Sequence, residues 1–404
     1  MSDLSTSDFR SLGLPPNILK SIDRLGFSAP TPIQTEAIPA ALTGRDVIGI
    51  AQTGTGKTLA FGAPMLALLE RGQIGLVLAP TRELALQIED TFRKLGARTA
   101  LLIGGAPIRK QQSQLRGNPD VICATPGRLI DHLQQGSVRL DRVKCVVLDE
   151  ADRMLDMGFK PAIERILKCV PEKHQTMLFS ATMPKEIIDL TSRYQRNPLT
   201  IEIARAGTAA TDVSQELYVL HHEDKPEMLK RMLKEVTGSV LVFARTRHGA
   251  RKLAALVRSF GHTAAEIHSD RTLAQRKAAL HGFKTGEFRI LTATDIAARG
   301  IDVKDIELVI NYDIPEQPED YVHRIGRTGR AGASGKAVTF AIPDQYRDVR
   351  DIEKHMNAEL PLSENSPLSL PAMRKPAPRA AVQGNKPRPH QQQNRRKAFR
   401  PRAK

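Results

Sequence analysis

The sequence predicts two α/β domains in tandem, each built on a parallel sheet, followed by a disordered basic tail. Over residues 45–203, short runs of β-branched and other apolar residues alternate with helical stretches, which is typical of a parallel sheet covered by helices. A second series of the same kind runs over residues 216–341. Between the two series, residues 204–212 are small and polar with no apolar period, which is typical of a linker.

The predicted strands are short apolar runs between helical patterns. They lie at 47–51, 76–79, 121–124, 143–148 and 176–179 in the first domain, and at 216–220, 240–243, 264–267, 290–293, 308–311 and 337–341 in the second. We therefore expect an N-terminal region at 1–36, the first domain at 37–203, a linker at 204–213, the second domain at 214–360 and the tail at 361–404.

Composition indicates a cytoplasmic globular protein with no membrane association. The 404 residues are 41% hydrophobic and 26% charged, and no run approaches the roughly 18 apolar residues that a membrane span needs. The N-terminus has no apolar segment of the secretory kind. The three cysteines form no CxxC pair, so neither a disulfide framework nor a zinc site is expected.

The basic charge is concentrated at the C-terminus. The formal net charge is +16, and residues 365–404 hold 11 Lys and Arg without an acidic residue, which leaves +5 for the rest of the chain. A proline-rich basic segment of this kind stays disordered and attracts phosphate backbones without reading their sequence. The alternative is a solubilising appendage.

A glycine-rich segment after the first strand predicts a phosphate-binding loop. Gly54 and Gly56 let backbone N–H groups turn towards phosphate oxygens, Lys57 reaches the outer phosphates, and Thr58 offers a hydroxyl to Mg²⁺. A glycine-rich turn without a ligand is the alternative for this motif alone, which also has Ala51 where the general pattern has glycine. The candidate nucleotide-binding residues are Ala51, Gln52, Thr53, Gly54, Thr55, Gly56, Lys57 and Thr58.

An acidic pair follows the strand at 143–148. Ligands of open α/β sheets bind at the carboxyl ends of the strands, where Asp149 and Glu150 lie. We expect Asp149 to hold Mg²⁺ and Glu150 to orient and deprotonate an attacking water. With the loop, the pair predicts hydrolysis of a nucleoside triphosphate.

Asp149-Glu150-Ala151-Asp152 resembles the name motif of the DEAD-box RNA helicases, and other motifs of that family occur in order from Phe9 to Phe340. The resemblance, which is greatest to the bacterial RhlE-type branch, implies two RecA-like domains, ATP and Mg²⁺ as cofactors and RNA as partner. Residues 26–34 are similar to the family's Q motif, which implies that Gln34 reads the adenine edge and that Phe27 packs beside the base.

Further motifs imply RNA contacts and coupling between the domains. The resemblance implies arginine fingers at Arg327 and Arg330, whose spacing predicts one helix face, and a ribose contact at Asp302. Leu273 departs from the family, which often has Gln three residues before Arg276, so an RNA contact there stays open. The implied RNA-binding residues are Pro80, Thr81, Arg82, Gly104, Gly105, Thr125, Pro126, Gly127, Arg128, Thr246 and Thr294; the implied coupling residues are Asp152, Ser180, Thr182, Arg299 and His323.

These motifs predict an ATP-dependent RNA helicase, an ATP hydrolase that unwinds short duplexes locally or remodels RNA–protein complexes. An ATP-dependent RNA clamp or scaffold would share every motif, and a DNA translocase is a third alternative that the Q motif disfavours. A P-loop kinase leaves the arginine motif of the second domain unexplained. Ribosomal precursors and RNA-decay complexes are partners expected from the resemblance alone.

Overall fold

The computed structural model describes residues 8–51, 54–203, 213–295, 303, 306–329 and 335–369. In these ranges it confirms the predicted fold class, two α/β domains with parallel sheets. The N-terminal region contributes a short 3₁₀ turn at Phe9–Leu12 and the helices α1 (Pro16–Arg24) and α2 (Pro32–Leu42).

The first domain alternates strands and helices. Its elements are β1 (Val47–Ile50), α3 (Lys57–Leu68), β2 (Ile74–Leu78), α4 (Arg82–Lys94), β3 (Thr99–Leu102), α5 (Ile108–Arg116), β4 (Val121–Ala124), α6 (Pro126–Gln134), β5 (Val143–Asp149), α7 (Ala151–Asp156), α8 (Lys160–Leu167), β6 (Gln175–Ser180), α9 (Lys185–Tyr194) and β7 (Leu199–Glu202).

The second domain repeats the alternation. Its described elements are β8 (Val213–Val219), α10 (Lys225–Glu235), β9 (Ser239–Phe243), α11 (Arg247–Ser259), β10 (Ala264–Ile267), α12 (Leu273–Lys284), β11 (Ile290–Ala293), β12 (Ile306–Asn311), α13 (Pro318–Ile325), β13 (Gly335–Ala341) and α14 (Tyr346–Met356).

The two sheets share one strand arrangement. The first has the order β3-β4-β2-β5-β6-β1-β7 and the second β10-β11-β9-β12-β13-β8, and the paired strands of both run parallel. In each sheet, the loops after the strands therefore meet along one edge, where ligands of such sheets bind. This topology brings residues that are far apart in sequence to one site.

Two strands, β3 and β7, were not predicted from the sequence. Both lie at the edges of the first sheet, and their side chains are only partly buried. Central strands such as β2 and β4 are buried along their whole length and therefore read as continuous apolar runs. An edge strand lacks that signal.

Apolar clusters cover both faces of each sheet. In the first domain, one face packs Leu76, Leu148 and Ile163, and the other packs Phe61, Phe92 and Phe179. The N-terminal helices add a smaller cluster that holds Phe9 and Ile22. Layers of this kind fix the strand ends, and thus the loops that follow them.

Residues 361–369 lie outside the predicted domain and inside the predicted tail, yet the structure places them along β8. The backbone N–H of Leu217 donates to the Pro361 carbonyl at 2.8 Å, and the N–H of Leu368 donates to the Val219 carbonyl at 3.0 Å. The Leu362 and Leu368 side chains pack on the core of the second domain. Sequence reasoning missed the pairing because only two apolar residues mark it among prolines and serines.

No helix among the described residues is both long and apolar enough to span a membrane. The three cysteines are free thiols; Cys123 and Cys145 are buried, and Cys169 is exposed.

Candidate active site

The predicted phosphate-binding loop joins β1 to the N-terminus of α3. Gly54 and Gly56 have φ angles of +94° and +88°, a left-handed region that glycine adopts without strain. Gly56 caps α3, and the Lys57 side chain, buried at 6% exposure, donates from Nζ to the Ala51 carbonyl at 3.0 Å. Gln52 and Thr53 lie outside the described residues. The helix N-terminus and a buried ammonium group thus meet where an anion would bind.

Gln34 is buried and both ends of its amide are engaged. Its Oε1 accepts from the Thr31 backbone N–H at 2.9 Å, and its Nε2 donates to the Gly56 carbonyl at 3.0 Å. A Cβ atom on Gly56 would collide with Nε2, so only glycine admits this contact. The amide therefore holds the loop, and these two bonds leave one N–H and one lone pair of the side chain unused. Phe27 is 47% exposed, as a side chain that packs on a ligand must be.

The acidic pair ends β5 directly beside the loop. Asp149 is 2% exposed, and its Oδ1 accepts from the Glu150 N–H at 3.0 Å. Burial raises the pKa of Asp149 from 3.8 to about 6, the nearby Lys57 ammonium opposes the shift, and the Glu150 carboxylate adds to it. Because burial destabilises the ionised form of this carboxylate, a cation bound beside it would stabilise that form.

Glu150 stands in a strained backbone conformation with φ +51° and ψ +53° at the start of α7. Such conformations cost roughly 1–3 kcal/mol in a residue other than glycine and cluster at functional sites. The Glu150 carboxylate lies 3.3 Å from the Arg153 guanidinium, and both side chains are buried. Arg153 was not predicted as a site residue, because by pattern it is an ordinary helical arginine.

Asp152 connects the acidic motif to the loop after β6. Its Oδ2 accepts from the backbone N–H groups of Ala181 and Thr182 at 3.0 and 2.9 Å and from the Thr182 hydroxyl at 3.0 Å. The Ser180 hydroxyl accepts from the Asp152 N–H at 3.3 Å. Two of the motifs that the resemblance assigned to coupling are therefore in direct contact.

The arginine motif of the second domain lies at the end of α13. The helix ends at Ile325 with Gly326 as its cap, so the expectation that Arg327 shares a helix face with Arg330 is wrong: Arg327 lies in the turn beyond the helix. Its Nε donates to the His323 carbonyl at 3.0 Å. Arg330, Arg299 and Asp302 lie outside the described residues.

The two domains meet at this motif. Arg153 of α7 lines the same small cavity as Asp320, His323 and Arg327 of the second domain. Arg324, which sequence reasoning also missed, is 1% exposed and holds Asp295 through Nε and Nη2 at 2.5 and 2.7 Å. The first domain's acidic motif thus faces a rigid, cationic end of α13.

A second cleft between the domains gathers the motif residues to which RNA contacts were attributed. Pro80, Thr81, Arg82, Gly104, Thr125, Gly127 and Arg128 line it from the first domain, with Ser269 and Arg276 from the second. Burial lowers the pKa of Arg82, and the like charges of Arg276 and Arg128 lower it further. Glu83 and Asp131 also line the cleft, where they pair with Arg276 and Arg128 at 3.0 and 3.3 Å. Three guanidinium groups against two carboxylates leave this cationic cleft with a positive balance, which favours an anionic ligand.

Threonine hydroxyls cap two helices, one in each domain, that follow sheet strands. The Thr81 and Thr246 Oγ1 atoms accept from the backbone N–H groups of Leu84 and Gly249 at 3.2 and 3.0 Å. Their helices, α4 and α11, follow β2 and β9, the third strand in each sheet order. Thr294 follows the end of β11, and Pro126 starts α6 after Thr125. Thr81, Thr125 and Thr246 each stand at a helix N-terminus, a position that suits phosphate contacts.

Comparison with known proteins identifies the family. Residues 31–190 match the model of the DEAD/DEAH box helicases, and residues 224–332 match that of the helicase conserved C-terminal domain. The DEAD-box ATP-dependent RNA helicase RhpA of Helicobacter pylori is 42% identical over 88% of this chain and 74% of its own. The chain belongs to the DEAD-box ATP-dependent RNA helicases. The ATP-dependent rRNA helicase RRP3 of Scheffersomyces stipitis is also 42% identical, over 91% of this chain and 78% of its own.

Solved DEAD-box structures share the fold of this chain. Dbp5 of S. cerevisiae, bound to RNA and ADP BeF3, gives a TM-score of 0.80 at 31% identity over 88% of this chain and 95% of its own. Mss116p bound to ssRNA and AMP-PNP gives 0.81 at 29% identity over 91% and 81%. The DEAD box protein of Methanococcus jannaschii, 38% identical over 88% and 99%, gives 0.54. The two RNA-bound structures thus match the whole chain more closely than the Methanococcus jannaschii protein does.

Proposed function

We propose that ATP and single-stranded RNA bind across the two domains of this helicase and hold them closed, and that hydrolysis of ATP reopens them. Closure bends one RNA strand and thereby disrupts a short duplex or an RNA–protein contact. The observation that supports this best is the cavity that Arg153 of the DEAD-motif helix shares with His323 and Arg327 of the second domain. If both ligands favour the closed state, each raises the affinity of the other by the same factor.

In the nucleotide site, the phosphate loop from Ala51 to Thr58 cradles the phosphates, and Lys57 neutralises the outer ones. The buried Asp149 and the Thr58 hydroxyl fit Mg²⁺, which keeps several waters and needs few protein ligands. When bound there, Mg²⁺ would neutralise negative charge on the phosphates of the nucleotide. Gln34 and Phe27 hold the adenine, and Asp302 holds the ribose.

For hydrolysis, Glu150 orients the attacking water and accepts its proton. Arg327 and Arg330 stabilise the charge of the transferred phosphoryl group, a contribution worth roughly 10³- to 10⁵-fold in rate in other NTPases. Because these arginines belong to the second domain, hydrolysis depends on closure. Asp152, Ser180, Thr182, Arg299 and His323 transmit the state of the nucleotide to the domain interface.

RNA binding rests on backbone contacts. Thr81, Arg82, Arg128, Thr246 and Thr294 contact phosphates and sugars, and the glycines and prolines of the motifs let the strand approach closely. Contacts of this kind read shape and the 2′-hydroxyl but little sequence. The remaining contact residues are Pro80, Gly104, Gly105, Thr125, Pro126 and Gly127.

We further propose a RhlE-type helicase of the cytoplasm. Its first domain spans 37–203, its second domain begins at 214 and extends beyond the expected bound at 360 to include 361–369, and a basic tail from 370 tethers RNA. Ribosomal precursors and RNA-decay complexes are the proposed partners; the relative RRP3 is named an rRNA helicase. An ATP-dependent clamp that binds RNA without separating strands is the second candidate, because it would use the same closed arrangement. The ratio of strands released to ATP consumed distinguishes the two.

The first experiment measures ATP hydrolysis without nucleic acid, with single-stranded RNA and with DNA of the same sequence, using Lys57→Ala as the blank. Strong stimulation by RNA alone is expected, because closure needs the 2′-hydroxyl contacts. Equal stimulation by DNA, or none by either, would contradict the RNA-dependent closure.

A second experiment uses Glu150→Gln, which removes the base but keeps the shape of the side chain. ATP binding should survive and turnover should fall, so that RNA stays tightly bound in the presence of ATP. Loss of both ATP and RNA binding would instead indicate a misfolded variant.

A further inference from the structure

The helix α12 carries an apolar contact across the domain interface. Its first residue, Leu273, packs on the core cluster of the first domain, which includes Leu84 and Ile88 of α4. Thr272 caps this turn: its Oγ1 accepts from the Gln275 N–H at 3.2 Å, and its own N–H donates to the Gln275 side chain at 3.0 Å. The cap fixes the direction in which the Leu273 side chain projects from the second domain.

One turn later, α12 makes an ionic contact with the same helix. Arg276 Nη2 lies 3.0 Å from Glu83 Oε1, and both side chains are less than 10% exposed. Residues three apart lie on one side of a helix, so Leu273 and Arg276 both face α4. Glu83 adjoins Arg82, which lines the cationic cleft. The contact between α12 and α4 thus lies beside the cleft to which RNA contacts were attributed.

We propose that Leu273 is a positioning residue for domain closure, and that it contacts the first domain rather than RNA. An isobutyl side chain offers no hydrogen bond to a phosphate or a ribose, whereas its removal from water against α4 is favourable. The contact spans the interface, so separation of the domains breaks it. Leu273 therefore contributes to the closed state and leaves the affinity of the open protein for RNA unchanged. The inference rests on the closure proposed above.

The effect is measurable as coupling between the ligands. The coupling factor is the ratio of the RNA dissociation constants without and with a nucleotide analogue. Truncating Leu273 should lower this factor roughly tenfold, as the removal of a partly buried aliphatic group does. The dissociation constant without nucleotide should stay the same.

The experiment measures binding of a labelled single-stranded RNA to the full chain, with and without ADP–BeF₃, by fluorescence anisotropy. The variants are Leu273→Ala, Leu273→Gln and the conservative Leu273→Met, which should keep the coupling. Ala274→Gln is the matched control, because it adds the same amide at the exposed neighbouring position of α12. Thermal unfolding checks that each variant is folded.

We expect Leu273→Ala and Leu273→Gln to lose coupling while Leu273→Met and Ala274→Gln retain it. Wild-type coupling in the Ala and Gln variants would overturn the inference and leave the proposed function intact. A higher RNA affinity of Leu273→Gln both with and without the analogue would show that position 273 faces RNA, which also overturns it. Absence of coupling in the wild-type protein would remove the closure proposal and the inference together.

Discussion

Arg82 lies directly over the glycine doublet of the first domain. A Cβ atom on Gly105 would collide with Arg82 Nη1, and one on Gly104 would come within 3.2 Å of Nη2. Gly105 also has φ +76°, a region that other residues adopt at a cost. The doublet therefore sets the position of a guanidinium in the cationic cleft, which explains why two glycines occur there.

Gly105→Ala should displace Arg82 and weaken RNA binding about tenfold, the scale of one charge-assisted contact, without a change in ATP affinity. Gly44→Ala is the matched control, because Gly44 has φ +78° and open space around its Cβ position. Both variants carry the same backbone strain, and only the first moves Arg82. RNA titration by fluorescence anisotropy distinguishes the two variants. Equal RNA affinities would contradict the proposal that the doublet positions Arg82.

The buried carboxylate of Asp149 makes the nucleotide-free protein sensitive to pH. Burial raises its pKa to about 6, above the 3.8 of an exposed aspartate. Between these values the folded state binds more protons than the unfolded state, so the free energy of unfolding decreases as pH rises and levels off above about 6. A charge that stays buried at neutral pH is a cost that a bound cation offsets.

Asp149→Asn should therefore raise the free energy of unfolding at pH 7.5, without Mg²⁺ or nucleotide, by up to about 3 kcal/mol. The difference from wild type should grow from about pH 4 to about pH 6 and then stay constant. Urea denaturation across that range measures it. Mg²⁺ with ATP should stabilise the wild type more than the variant; a stability difference independent of pH would contradict the assignment.

Among the secondary-structure elements, the segment 361–369 closes an open edge of the second sheet. Strand β8 is the last strand in the sheet order, and edge strands left unpaired promote aggregation. The backbone of Leu217 bonds to Pro361 and Ser363, and the Ser366 hydroxyl accepts from the Val219 N–H at 2.9 Å. This segment is thus part of the second domain rather than the start of the tail.

Truncation after Leu360 should lower the stability of the second domain by about 2–4 kcal/mol, since backbone hydrogen bonds and two partly buried leucines are removed. Truncation after Ser369 is the matched control and should leave stability unchanged. Thermal unfolding and light scattering report both effects. Equal melting temperatures for the two truncations would show that the segment contributes nothing.

In the molecule as a whole, we propose separate roles in RNA binding for the basic tail and for the two domains. The tail holds 11 of the 60 Lys and Arg residues and no acidic residue from Asn365 onward. On the closure proposed above, the cationic cleft forms only when the domains close, whereas the proposed tethering by the tail does not depend on closure. Tethering raises the local concentration of RNA without specifying a sequence.

Deletion of residues 370–404 should weaken RNA binding and flatten its salt dependence. The log–log slope should decrease by up to about 0.7 for each phosphate of a single strand that the tail had neutralised. Anisotropy titrations at several salt concentrations measure the slope, and ATPase activity at saturating RNA should stay unchanged. An unchanged slope would make the tail a solubilising appendage.

The fold class, the central strands and the position of the nucleotide-site motifs could all be predicted from the amino-acid sequence. Central parallel strands are buried on both faces, so β2 and β4 appear as continuous apolar runs, and β5 does so from Cys145 to Leu148. The phosphate loop and the acidic pair are local motifs, since their residue types must be adjacent to perform their chemistry. A short segment therefore sufficed to find them.

The contacts that join distant segments became known only from the folded chain. In the structure, the Gln34 amide bonds to the phosphate loop, and α13 ends before Arg327. Arg276 pairs with Glu83 across the domains, and residues 361–369 lie along β8. The structure also places Leu273 against the first domain. These contacts depend on which helix faces and sheet edges pack together after folding. Neither the hydrophobic periodicity nor the residue spacing of a local segment predicts that packing.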